Sequence, residues 1–148
     1  MDRFVSQSIA LTPGQTQRRF SRADLVFFDV DARGASFAGR VFLDPPGADP
    51  DTSPTREDGY AGFFFILGHG GCFGDDGHCE VPVTRDPFDI DPPHALTPQV
   101  KLVDVTSRLV AMTSDAIVVT VLAVSRSAGG PILVDALQFS GFQLLSYD

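Results

Sequence analysis

The chain has 148 residues and a formal net charge of −8, which is the size of one domain and excludes a clustered basic face of the kind that holds phosphate. Lys101 is the one lysine, and the single basic cluster, Arg18, Arg19 and Arg22, is short, so no nucleic-acid partner is expected. An apolar fraction of 43% excludes a wholly disordered chain, and no apolar run approaches the ~20 residues that span a bilayer, so no membrane partner is expected.

Residues 1–22 read as a polar N-terminal arm or short edge strand. Met1-Asp2-Arg3-Phe4 has no charged head followed by an apolar stretch, so it does not resemble a secretory signal. That favours a cytoplasmic location. A single domain is expected over 23–148. Asp24–Asp31 alternates as a strand, with Leu25, Phe27 and Asp29 on one face and Val26, Phe28 and Val30 on the other. Arg33-Gly34 turns the chain, and Ser36–Asp44 returns as the second strand of a hairpin. Phe37, Val41 and Leu43 share a side, and Gly39 interrupts the pattern as at a bulge or a close backbone approach.

Pro45, Pro46, Pro50 and Pro54 then mark a surface loop. The continuous apolar run Gly59–Leu67, with three consecutive aromatics, predicts a central strand covered on both faces. After a Gly-rich segment and a second Pro/Asp-rich stretch, Val100–Val105 predicts a strand. Ser107–Met112 predicts a short helix, with the Thr106 hydroxyl as its cap. Ala116–Val124 is the strongest strand pattern in the chain. Gly129-Gly130-Pro131 reads as a hairpin turn, and Ile132–Phe139 and Phe142–Leu145 close the sheet. The expected fold is all-β: an antiparallel sandwich or barrel of six to eight strands with one short helix.

The concentrated chemistry lies in His69-Gly-Gly-Cys72-Phe-Gly-Asp-Asp-Gly-His78-Cys79. Thiolate and imidazole suit soft or borderline metals, Cu(I) in particular. The interleaved glycines let the backbone aim several side chains at one point. Asp75 and Asp76 are candidate acceptors for the imidazole N–H groups. The spacing is unlike the paired-cysteine zinc patterns. Three readings stay open: a metal site at His69, Cys72, His78 and Cys79; a Cys72–Cys79 disulfide contributing ~2–3 kcal/mol by loop closure, which needs an oxidising compartment or a redox role; or two free thiols with incidental histidines.

Elsewhere no nucleophile elbow surrounds Ser36 or Ser125, and no phosphate loop exists. Asp29, Asp31 and Asp44 are acids that pattern alone cannot sort. Met112 reads as core packing rather than a copper thioether, and His94 as a loop histidine. The chain alone does not read as an enzyme. A small mononuclear metalloenzyme at His69 and His78 is the weakest of the function classes.

In order and spacing, Phe27-Phe28-Asp29-Val30, Tyr60-Ala61-Gly62-Phe63-Phe64, Val105–Val110, Ala116–Leu122 and Ile132–Phe139 resemble the C-terminal domain of tyrosinases and polyphenol oxidases. That domain is named for a Lys-Phe-Asp-Val strand, and here Phe27 stands where the lysine would be. The likeness covers roughly residues 23–146 and rests on order rather than on any one motif. It implies a non-catalytic accessory domain that shields the dicopper site of a tyrosinase-like oxidase domain or subunit and passes copper through the His/Cys loop. It also implies that an aromatic ring, Tyr60 or Phe64, plugs the partner's site. Type-3 copper needs two histidine clusters, and this chain's 3 histidines cannot build them. The alternative is a β-sandwich binding module with a disulfide-stapled recognition loop and no metal.

Overall fold

A computed structural model describes residues 3–44, 47–49, 51–84, 87–88, 95–125, 133 and 135–148. Among these, 9 strands and 2 short helices form an antiparallel sandwich that does not close into a barrel. The strands are β1 (Arg3–Val5), β2 (Ile9–Ala10), β3 (Arg22–Val30), β4 (Phe37–Leu43), β5 (Tyr60–Ile66), β6 (Gln99–Asp104), β7 (Ala116–Ile117), β8 (Val119–Val124) and β9 (Gly141–Tyr147). A four-stranded sheet in the order β1-β8-β4-β5 faces a three-stranded sheet, β6-β3-β9, and β2 pairs with β7 at one end.

Residues 3–10 are stitched in as edge strands, β1 on β8 and β2 on β7. Helix α1 (Pro13–Thr16) was not foreseen. Its signal is a capping box, in which Thr12 and Gln15 satisfy each other's backbone amides, with proline in the first turn. Four residues are too few to show helical periodicity.

The expected β3–β4 hairpin is not formed, because the two strands belong to different sheets. Ala23, Leu25 and Phe27 face Phe37, Val41 and Leu43 across one core, so the chain must cross the sandwich between them. Val30 also joins that core rather than the outer face. A register shift after Phe27, with Asp29 at φ 54°, moves the alternation by one residue. Gly39 marks a close approach: a Cβ there would stand 2.4 Å from the Phe64 ring. Phe64 lies against Phe27 (5.2 Å) and Phe37 (6.3 Å), forming the aromatic centre of the fold.

Strand β5 is the edge of its sheet, not a central strand. Phe64 and Ile66 point inward, while Phe63 and Phe65 are 50% and 43% exposed on the outer face. The 44–59 loop packs Ala48 over Phe42 and Leu122, covering part of that outer face with a second small core. The Arg108 guanidinium, on helix α2 (Thr106–Ala111), donates to the Leu43 and Arg56 carbonyls and ties this loop down.

The Thr106 hydroxyl does not cap α2; it exchanges hydrogen bonds with the Ala23 backbone and fastens the helix to β3. The long strand pattern 116–124 breaks at Val118, whose amide donates to the Asp44 carboxylate at 2.7 Å. Met112 is buried in the main core, as expected. The hairpin at Gly129–Pro131 and His94 lie outside the described residues. Of the strand expected over Ile132–Phe139, the described residues are irregular, and Leu133, Leu137 and Phe139 contribute to the core from that coil.

Candidate functional site

The three acids that pattern could not sort are structural. The Asp29 carboxylate accepts from Ser140 at 2.7 Å, Asp31 pairs with Arg33 at 2.9 Å, and Asp44 accepts from Val118 and Ser114. The Arg33 side chain, and then its backbone amide, hold the Asp31 carboxyl below the usual carboxylate range. The basic cluster is divided too, since Arg18 donates to the Met112 carbonyl and Arg22 pairs with Asp24 at 2.9 Å.

The 68–80 loop is clamped to the turn between β3 and β4. The amides of His69, Gly70 and Gly71 donate to the carbonyls of Ala32, Gly34 and Arg33, at 3.2, 2.8 and 2.8 Å. Gly68 donates to the Ser36 hydroxyl at 2.9 Å, and any Cβ on Gly68 would fall 2.2 Å from the Gly34 carbonyl oxygen. Only glycine allows the two segments to lie so close. Beyond the clamp, Cys72 and Cys79 form a disulfide with their Cα atoms 6.0 Å apart. Of the three readings of the loop, this is the one the structure contains. The Cys79 carbonyl accepts from Leu96, which ties the far side of the loop to the segment before β6.

His69, Phe73, His78 and Cys79 share a shallow cavity of about 130 Å³ with Gly71 and Leu96. Gly74 makes room for the His78 ring, because a Cβ at that glycine would lie 2.9 Å from its Cγ. Asp75 accepts the His78 amide through its backbone carbonyl at 3.0 Å. Of the four residues singled out by pattern, His69, His78 and Cys79 line this cavity, and Cys72 is joined to Cys79 by the disulfide. With the sulfurs bonded to each other, His69 and His78 are the members of the expected four that keep a metal-donor atom. Among the described residues no three His, Cys, Asp or Glu side chains are grouped to hold an ion. In the disulfide form neither sulfur is a thiolate, so Cys72 and Cys79 are not ligands for copper or zinc.

The two candidate plug rings sit in different environments. Phe64 is 4% exposed in the core, and the outward rings of β5 are Phe63 and Phe65, 4.8 Å apart edge to face. Tyr60 is half-buried against Phe42 (5.6 Å) and shares an open cavity of about 320 Å³ with Arg40, Phe63 and Phe65. Burial raises the pKa of its hydroxyl, partly offset by Arg40.

Pattern reading missed the apolar rim of the loop. Leu67, Phe73, Val81, Val83 and Phe88 are 77%, 73%, 65%, 100% and 87% exposed, the five highest values among the exposed large apolar side chains described. Asp75, Asp76 and Glu80 stand exposed among them. The signal was present for Phe73, Val81 and Phe88, which lie singly among Gly, Pro and acidic residues, where no strand or helix can turn them inward. No protein-family model matches the chain, and no curated protein matches it.

Proposed function

We propose that this chain is a non-catalytic binding module, in which the β-sandwich holds out the disulfide-stapled 68–80 loop as its contact surface. The observation that carries this reading is the placement of those five exposed apolar side chains, all between residues 67 and 88. Phe73 stands in the stapled loop, and Leu67, Val81, Val83 and Phe88 stand on the segments that flank it; exposed apolar side chains of this kind mark a contact site for another surface. The staple and the clamp on the β3–β4 turn fix the loop beforehand, which lowers the ordering cost of binding. Phe73 is the natural anchor, and Asp75, Asp76 and Glu80 around it call for a partner pocket that is apolar with a cationic rim.

The likeness to the tyrosinase C-terminal domain supplies a second reading, supported by the exposed aromatic face of Tyr60, Phe63 and Phe65. There the partner is a dicopper oxidase and the outer face of β5 meets it. In that reading copper passes through the loop only after reduction, which frees two thiolates beside His69 and His78.

Capture from a lysate of the source cells separates the two, using wild-type chain, Phe73→Ser and Phe63→Ser as baits. Loss of the captured protein with Phe73→Ser alone supports the loop. Loss with Phe63→Ser alone supports the oxidase-facing strand, as does one equivalent of tightly held Cu(I) on the reduced chain. Capture that neither substitution changes overturns both.

A further inference from the structure

The two sheets of the sandwich are unequal, with three strands facing four. At one margin β5 packs against β6. At the other, a groove runs between β1–β2 and β9. Its larger section is about 700 Å³, walled by Phe4, Ile9, Phe142 and Leu144, with Gln7 and Gln15 among its polar groups. A second section of about 590 Å³ continues past the contact of Phe4 with Phe142, whose rings are 5.8 Å apart. Among the described residues, β1 pairs only with β8 and β9 only with β3, so both margins of the groove are open sheet edges.

An edge strand turns the N–H and C=O of every second residue away from its partner, where they can pair with an added strand. Edges are commonly guarded by lysine, proline or a bulge. Strand β9, Gly-Phe-Gln-Leu-Leu-Ser-Tyr, has no charge and no proline, and its register with β3 is unbroken over all 7 residues. At ~3.3 Å per residue that edge is ~23 Å long.

The lining sets the chemistry of what could bind. In a chain that is 20% charged with a net charge of −8, none of the described residues lining either section of the groove is charged. A charged ligand would lose its hydration there and find no counter-charge among the described residues. Apolar side chains and uncharged hydrogen-bonding groups alternate instead. Gln15 is 6% exposed and lines the groove. Its Nε2 donates to the Ser146 hydroxyl at 3.4 Å, which uses one of the two N–H bonds of the amide.

We infer that the β9 edge and its groove form a docking site for an extended, uncharged segment of a partner protein, which adds as a fourth strand beside β9. Its main chain pairs with the β9 edge, and its alternate side chains fill the space under Phe4 and Ile9. This is strand addition to an open sheet, with main-chain bonds giving affinity and the groove selecting apolar, neutral side chains. The site is separate from the 68–80 loop and does not depend on the role given to it.

The test uses the whole chain, isotope-labelled, titrated with a capped seven-residue peptide alternating valine and threonine. The expected result is a saturable set of amide shifts confined to 4–10 and 140–147, with slowed hydrogen exchange at alternate β9 amides. The same peptide with proline at its centre should not bind. Ser8→Lys, at an exposed groove position with no core role, should weaken binding at least ~tenfold and leave the melting temperature unchanged. Absence of saturable shifts at β9, equal binding of the proline peptide, or unchanged affinity in Ser8→Lys would overturn the proposal. Concentration-dependent β9 shifts without peptide would also overturn it, since the edge would then take a second copy of this chain.

Discussion

Phe64 and Phe73 are the same residue type a few positions apart, yet one is 4% exposed and the other 73%. Phe64 sits on a strand whose alternation turns it inward, over the space that Gly39 leaves free on the neighbouring paired strand. Phe73 sits in a loop whose glycines, at φ 70°, 123°, 130° and 84° for Gly70, Gly71, Gly74 and Gly77, offer no regular face to turn inward. The disulfide then closes that loop on itself. Burial in this chain is thus decided by backbone setting rather than by side-chain type, and the two phenylalanines divide stability and contact between them.

The largest expected effect comes from emptying the buried site. Phe64→Ala should cost about 3–5 kcal/mol, read as a fall in melting temperature of ~10 °C or more for a chain of this size. Gly39→Ala should also destabilise by about 1–3 kcal/mol, because its Cβ meets the Phe64 ring at 2.4 Å. In a Phe64→Leu background that cost should shrink, which a double-mutant cycle would register. Additive costs would mean that Gly39 is required for some reason other than the ring.

On the loop side, Cys72→Ser with Cys79→Ser should cost about 2–3 kcal/mol, the loop-closure contribution of so short a staple, by denaturant unfolding. Between these regions stands Asp44, which accepts from Val118 and Ser114 and adopts φ 60°. Asp44→Ala removes both acceptors and places a Cβ-bearing residue without a polar partner in left-handed geometry, at about 1–3 kcal/mol. A smaller loss than this would show that the break between β7 and β8 does not depend on the Asp44 carboxylate.

The sandwich was legible because its strands carry two-residue alternation, which reports burial directly: Leu25, Phe27, Phe37 and Val41 fall where the pattern puts them, whereas the 116–124 run is divided at Val118. Pairing was not legible. The β3–β4 segment has hairpin punctuation, but partner choice depends on which faces must meet across the core, and that is a property of the whole sheet order. The edge position of β5 escaped for the same reason: three successive aromatics look alike whether a strand is covered on one face or two. In the loop, residue types picked out the two cysteines and could not give their oxidation state. Cysteines separated by 7 positions are compatible with a bond or with a shared ion, and only the 6.0 Å Cα separation favours the bond.

Acid should loosen the clamp before it disturbs the core. The Asp31 carboxyl is held below its ordinary value chiefly by the Arg33 side chain, so this support is present above about pH 4 and is lost as pH falls through the depressed folded value. The amides of Gly70 and Gly71, bonded to Gly34 and Arg33, should lose exchange protection there, after correction for intrinsic rates, while core amides of β3 and β8 keep theirs.

The smallest expected effect on stability belongs to Phe73→Ser. A ring 73% exposed has little burial to lose, so its removal should move unfolding by no more than about 0.5 kcal/mol. If the loop is the contact surface, the same substitution should weaken partner binding by about 2 kcal/mol or more, as removal of a central aromatic anchor does. The two measurements together decide the matter. A stable variant that no longer captures its partner places the function of Phe73 outside the fold. A variant that unfolds early would mean that the ring packs against the sandwich in solution, and the contrast with Phe64 would disappear.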